Sequence, residues 1–483
     1  MKLSVSVRRV LLAAALATAT VVVPVSTVSP VSAATCTLCG GGEYHAIDTP
    51  SRVLDTRSNP KINDVDPLNA KLVNGSAFVV DLLGIGSDGT PTGGYTNGWL
   101  PSGVTPADVL AVAATVTVVG PTVGGYLAVA PGDTAPTGSS LINFLAHTTT
   151  ANLAVLRPDA TGKLSIGLFP SLTASATGTA DVLIDVFGWF TTSGYLNAGA
   201  ERGGRLIPTD PGRILDTRTG LGGITPGPGD DLDVTVVGAS TVTGTKFTPV
   251  PIDSNITAVM VNITAVAPTG SSSVFVAALG TKANGTAPTS NLNLMPGQTR
   301  AATAIVPLGT DGHIHLYNGG GGKTPLLVDV VGYFINGQPE STRAGRVVPL
   351  SAPFRAFDTR LTAFGKVPLG PGQAEDWSFA AFAASVNIGG TSVGNQLGFI
   401  GNLTNAALSR QYPTVAVKGF LTVYPTPTSS GGPPVVSNLN SNEFGAVANM
   451  ALVKYGANQT VRVYNASGYA DYIVDVSAVV LND

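Results

Sequence analysis

A hexapeptide that occurs three times limits the folds open to this chain more than any other feature. Arg52-Val-Leu-Asp-Thr-Arg57, Arg213-Ile-Leu-Asp-Thr-Arg218 and Arg355-Ala-Phe-Asp-Thr-Arg360 are one motif with small changes. Each copy closes on an apolar stretch that holds a single acid: Asp185, Asp329 and Asp475. Landmarks between these ends recur in order. Ser140-Leu-Ile-Asn143 returns as Ser290-Asn-Leu-Asn293 and Ser437-Asn-Leu-Asn440. Ala151-Asn-Leu-Ala154 returns as Ala301-Ala-Thr-Ala304 and Ala448-Asn-Met-Ala451. Ordered matches of this kind mark three copies of a unit of roughly 140 residues, which agrees with the three domains that 483 residues can supply.

Within a copy, short runs rich in Val, Thr, Ile and Ala alternate with Gly, Pro and Asn. Ala111 to Val119 precedes Gly120-Pro121 and a second run from Tyr126 to Ala130; Ile256 to Val266 and Val274 to Leu279 repeat the pattern. No stretch carries a capped 3.6-residue apolar period, so strands punctuated by turns are expected. The expected fold is all-β: three tandem antiparallel β-sandwich or jelly-roll-like domains. They are placed at 35–191, 203–335 and 344–483, behind a signal peptide over 1–34. Lys2, Arg8 and Arg9 precede an apolar stretch from Val10 to about Val25, and Val31-Ser32-Ala33-Ala34 offers a cleavage site. The chain is therefore expected to be secreted or held at the cell surface, by either the general or the twin-arginine export route.

Charged residues make up 11% of the chain and the net charge is −3, which argues against nucleic acid as a partner. Cys36 and Cys39 are the only cysteines. No thioredoxin-like context surrounds them and four zinc ligands are lacking, so a local disulfide in an oxidising compartment is expected. No metal or other cofactor is called for.

The acids within apolar strands need partners, because an unpaired buried carboxylate is costly. An Arg of each opening motif paired with the Asp of the closing strand would tie first strand to last. The expected ion-pair network comprises Asp55, Arg57 and Asp185; Asp216, Arg218 and Asp329; and Asp358, Arg360 and Asp475. The alternative is that the carboxylates face a cleft as a glycosidase pair or a cation site. His313 and His315 alternate on one strand and share a face, but the third copy has Thr460 and Arg462 there, so they read as exposed strand residues. Asp230-Asp231-Leu-Asp233 reads as a solvated loop. Searches for metalloprotease, phosphate-loop and nucleophile-elbow motifs are empty.

The order Leu-Asp-Thr-Arg, then Gly125-Tyr-Leu-Ala-Val-Ala-Pro131, then Ser-x-Leu-Asn, then Asp329-Val-Val-Gly-Tyr-Phe334 resembles a β module of secreted actinobacterial proteins. That module occurs alone, in tandem, or attached to peptidoglycan amidases and other exported hydrolases. The resemblance runs from about Tyr44 to Val480; the third copy departs most, with Phe357 for Leu and Ser477-Ala478 for Val-Gly. It implies an exported accessory or surface module and carries no catalytic residue onto this chain. The expected function is a non-catalytic cell-envelope protein that binds a glycan or wall polymer or acts in adhesion. Self-assembly into a surface layer or fibre, and polysaccharide hydrolysis through the paired aspartates, remain as alternatives.

Overall fold

The computed structural model describes residues 40–57, 72–73, 77–83, 99–136, 139–170, 178–192, 195, 202–241, 247–270, 274–287, 289–339, 341–361, 367–388, 391–406, 419–428, 432–441 and 445–483. The expected signal peptide and the Cys36–Cys39 pair lie outside them.

The first copy supplies β1 (Tyr44–Asp55), β2 (Leu72–Val73), β3 (Ala77–Asp81), β4 (Val109–Val119), β5 (Gly125–Pro131), β6 (Ile142–Phe144), β7 (Thr150–Leu156), β8 (Lys163–Pro170) and β9 (Thr179–Thr191). The second supplies β10 (Arg205–Asp216), β11 (Asp231–Thr235), β12 (Ile256–Ala265), β13 (Val274–Leu279), β14 (Leu292–Leu294), β15 (Arg300–Pro307), β16 (His313–Asn318) and β17 (Leu326–Ile335). The third supplies β18 (Val347–Asp358), β19 (Ala374–Ser378), the short helix α1 (Ala380–Ser385), the ribbon β20 (Asn387–Ile388) and β21 (Thr391–Ser392), β22 (Gln396–Asn405), β23 (Gly419–Pro425), β24 (Leu439–Ser441), β25 (Val447–Lys454), β26 (Thr460–Asn465) and β27 (Tyr472–Leu481).

In each copy the chain alternates between two antiparallel sheets. One set runs β1-β9-β4-β7, β10-β17-β12-β15 and β18-β27-β22-β25; the other runs β3-β8-β5-β6, β11-β16-β13-β14 and β19-β26-β23-β24. The edge strands β7, β14, β15, β24, β25 and β6 touch in that cyclic order. The sheets thus stand around one axis as the small blades of a six-bladed β-propeller. The described residues, from 40 to 483, belong to one compact unit.

This corrects the expectation of three tandem sandwich or jelly-roll-like domains. The physical reason lies in the middle strands. In β4, Ala111 through Val118 are buried without a break, and in β12 Ala258 through Ala265 are likewise buried. Strands apolar on both faces need cover on both. One face packs within its own copy, as Val259, Val261 and Val328 do. The other joins a core common to all three copies, which holds Phe190, Met260, Phe334, Ile400, Met450 and Val480. Tyr44 packs across the seam against Phe334 at a centroid distance of 4.5 Å.

Polar contacts reinforce two of the three seams in the same way. Asn152 donates to Leu141 O (2.7 Å) and Asn402 Oδ1 (3.0 Å), and accepts from Met450 N (2.9 Å). Asn449 donates to Asn438 O (2.6 Å) and Asn262 Oδ1 (2.8 Å), and accepts from Thr303 N (3.0 Å). At the seam between the first and second copies the matching residue is Ala302, so no amide can bridge there.

The starts of the three first strands also interlock. Gly42 pairs with Val347 and Tyr44 with Gly204, while Leu206 N donates to Gly345 O at 2.8 Å. Counted from the closing strands, Glu43, Arg205 and Arg346 are equivalent positions. They converge: Glu43 Oε1 lies 3.1 Å from Arg205 Nε and 3.3 Å from Arg346 Nη2, with all three residues buried.

Candidate functional site

The hexapeptide sits where the first strand ends against the closing strand. Its leading arginine, which sequence reasoning left out of the network, stands directly across from the closing acid: Arg52 opposite Asp185, Arg213 opposite Asp329, and Arg355 opposite Asp475. Each forms a two-pronged pair. Arg213 Nε and Nη2 donate to Asp329 at 2.7 and 3.0 Å, and the other copies match within 0.2 Å. The signal available beforehand was an arginine at the same place in every copy, inside a strand and beside apolar residues.

The motif's own carboxylate takes the trailing arginine instead. Arg57, Arg218 and Arg360 fold back on Asp55, Asp216 and Asp358, two residues earlier, with Arg218 Nε and Nη2 at 2.9 and 2.6 Å from Asp216. The same carboxylates accept the arginines' backbone N–H groups, as in an Asx turn. The threonine between them accepts the first backbone N–H of the closing strand's apolar run: Val182 N to Thr56 (3.0 Å), Leu326 N to Thr217 (2.8 Å) and Tyr472 N to Thr359 (3.0 Å). Each residue of the Asp-Thr-Arg triplet therefore fastens the end of the opening strand.

Electrostatics follow this division. Burial pushes the carboxyls of Asp185, Asp329 and Asp475 upward, against the arginine hydrogen bonds that pull them down. Both oxygens of each accept from a guanidinium, the bidentate geometry that favours the ionised form. The side-chain hydrogen bond from Arg218 holds Asp216 below the usual carboxylate range. For Asp55 and Asp358 burial acts upward, yet the bonds from Arg57 and Arg360 prevail and the net direction is down. Every carboxylate of these pairs is thus engaged by an arginine of its own copy.

The histidines of the second copy are part-exposed and engaged. His313 Nδ1 lies 2.7 Å from Asp233 and His315 Nδ1 lies 2.7 Å from Asp231. Asp231 and Asp233 belong to β11, so the acidic run is largely strand rather than the expected loop. Asp230 accepts the backbone N–H of Gly227 at 2.7 Å. Among the described residues no three His, Cys, Asp or Glu groups gather as a metal site.

Space for a ligand lies at the seams. A groove of 1010 Å³ runs between the second and third copies, next to Arg213. Pro211, Thr241 and Phe247 form one wall; Tyr424, Pro433, Val435 and Tyr455 contribute to the other. The Tyr455 hydroxyl is buried and has no hydrogen-bond partner among the described residues, and burial pushes its ionisation far up. Lys454 Nζ meets Asp210 at 3.0 Å across the rim. Gly212 lets this wall close up: a Cβ would lie 2.6 Å from Thr241 Cγ2 and 2.9 Å from Phe247 Cζ, and those side chains would have to shift. The third copy has Phe354 at the matching position, stacked on Phe382 at 4.7 Å. The corresponding seam between the first and third copies holds a cavity of only 40 Å³, walled in part by Ser140, Arg157, Pro353 and Asp475.

No family model and no curated protein matches the chain. Three solved structures align over long stretches at very low similarity. The N-terminal CBM22-1–CBM22-2 tandem domain of Paenibacillus barcinonensis Xyn10C is 11% identical over 60% of this chain and 99% of its own, with a TM-score of 0.15. A triple jelly roll protein of an archaeal virus is 9% identical over 90% of this chain and 91% of its own, at 0.15. A protein of Sulfolobus Turreted Icosahedral Virus is 10% identical over 91% and 92%, at 0.16. At TM-scores this low the likenesses carry no argument about fold or function.

Proposed function

We propose that this chain is a non-catalytic, exported cell-envelope protein that binds a glycan or wall polymer in the groove between its second and third copies. The observation that carries the reading is the groove itself: concave, largely apolar, at a junction between copies, with a Tyr455 hydroxyl in its wall that has no partner among the described residues. Small-molecule sites share these traits. Phe247 and Tyr424 offer rings on opposite walls, and rings bury much apolar surface at low entropic cost. The motif carboxylates are held by arginines, which speaks against a glycosidase pair.

Retention of the full chain on purified cell walls and soluble polysaccharides tests the proposal. Binding is expected, weakened about two- to tenfold by Tyr455→Phe, the scale of one neutral hydrogen bond, and more by Phe247→Ala. Absence of retention on every polymer, or release of reducing ends from one of them, would overturn it.

A further inference from the structure

The seam between the first and second copies differs from the other two in a way that points to a ligand. Asn152 and Asn449 bridge their seams, and the matching position here is Ala302. Two residues earlier in β15, on the same face, stands Arg300. It is 8% exposed as a whole residue, so most of its side chain has left water. The partner it finds is the Thr150 hydroxyl of the first copy, 3.4 Å from Nη1. No carboxylate meets it among the described residues. Thr150 and Val447 occupy the equivalent places in the other copies, so this cation belongs to one seam alone.

A buried charge without a counter-charge costs several kcal/mol, and two other deeply buried arginines among the described residues have one. Arg213 has Asp329, and Arg205 has Glu43, Thr342 and the Pro339 carbonyl. Burial lowers the Arg300 ionisation to about 10, which still leaves it a cation at neutral pH. A guanidinium has five donors, and one long bond to a hydroxyl leaves most of them for a further acceptor. The residue's remaining exposure leaves that acceptor access from solvent.

We propose that Arg300 and Thr150 form a site for a small inorganic anion, a halide or an oxyanion, bound between the first and second copies. The anion takes over at this seam the bridging role that Asn152 and Asn449 fill at the others. Arg300 supplies charge and paired donors, and the Thr150 hydroxyl can turn to donate to the same ion.

The test uses the full chain at constant ionic strength, with fluoride, the halide that gives up its hydration shell least readily, as the background anion. Chloride and inorganic phosphate are titrated separately while the melting temperature is followed. A saturable site makes the melting temperature climb with the logarithm of anion concentration above its dissociation constant, whereas screening does not distinguish anions of equal strength. The climb is expected for at least one of the two ions, and Arg300→Met is expected to abolish it. Crystals grown in bromide should show an anomalous peak within hydrogen-bond reach of Arg300, a readout that stands even where Arg300→Met fails to fold. An anion-independent melting temperature together with no peak at Arg300 would overturn the site. So would a folded Arg300→Met protein that keeps the full dependence.

Discussion

Replacing Arg213 with alanine tests two conclusions at once, the bidentate clamp and the single body. The change strands Asp329, which is 1% exposed, without the two donors at 2.7 and 3.0 Å. Removing one partner of a buried pair costs about 3–5 kcal/mol. How that loss appears on heating depends on what unfolds together. For one cooperative unit of about 450 residues, Thr37–Asp483, the unfolding entropy is roughly 0.9 kcal/mol per degree, so the midpoint falls by only about 3–6 °C. An independent domain of about 140 residues carries roughly 0.3 kcal/mol per degree, and the same loss lowers its own midpoint by about 10–17 °C. Scanning calorimetry separates the cases: one transition displaced as a whole is expected, without a low-temperature shoulder. The double variant Arg213→Met with Asp329→Leu should regain most of the loss, since an apolar pair needs no compensation. A loss under about 1 kcal/mol refutes the clamp, and a split transition carrying near a third of the heat refutes the common core.

Two further outcomes follow from the same geometry. The Arg218 hydrogen bond keeps Asp216 below its unfolded pKa, so this group's contribution is present above the unfolded value, near 3.9. It is lost as pH falls through the lower folded value; Asp216→Asn should flatten that acid limb in urea titrations, and an unchanged limb contradicts the assignment. Asn449→Leu leaves Asn262 Oδ1 and Asn438 O without its amide in a buried seam. It should cost about 2–6 kcal/mol by chemical denaturation, at about 1–3 kcal/mol per orphaned group, while the matching Ala302→Leu change breaks no polar contact and tests packing alone.

Much of the local structure is legible in the sequence. The repeated hexapeptide, the single acid in each closing strand and the Gly- and Pro-bounded runs all correspond to features of the folded chain. The choice of arginine was not legible without register. Arg57, Arg218 and Arg360 lie beyond the last strand residue, so they curl back on the motif's own acid, whereas the leading arginines sit opposite the closing acids. The shared body was hidden for another reason. An apolar run such as Ala111–Val118 signals two covered faces, but one strand's sequence does not say whose surface covers the second. Only the long-range pairings decide that. The groove was equally invisible, because Gly212, Phe247 and Tyr455 lie far apart in the chain and gain meaning only when the second and third copies meet.

The interlocked strand starts set the order in which this chain can be completed. Gly42 is held by Val347, Gly345 donates to Leu481, and Asn152 waits for Met450, 298 residues downstream. A ribosome delivers the opening strand long before the segment that seals it. Contacts of such span close slowly, and until they do, the inner faces of the first two copies stay open to other chains. Loss of β27, Tyr472–Leu481, would remove the central partner of both β18 and β22. Such a chain lacks the keystone of the ring, and its two finished copies would meet the solvent with apolar faces built to meet a third.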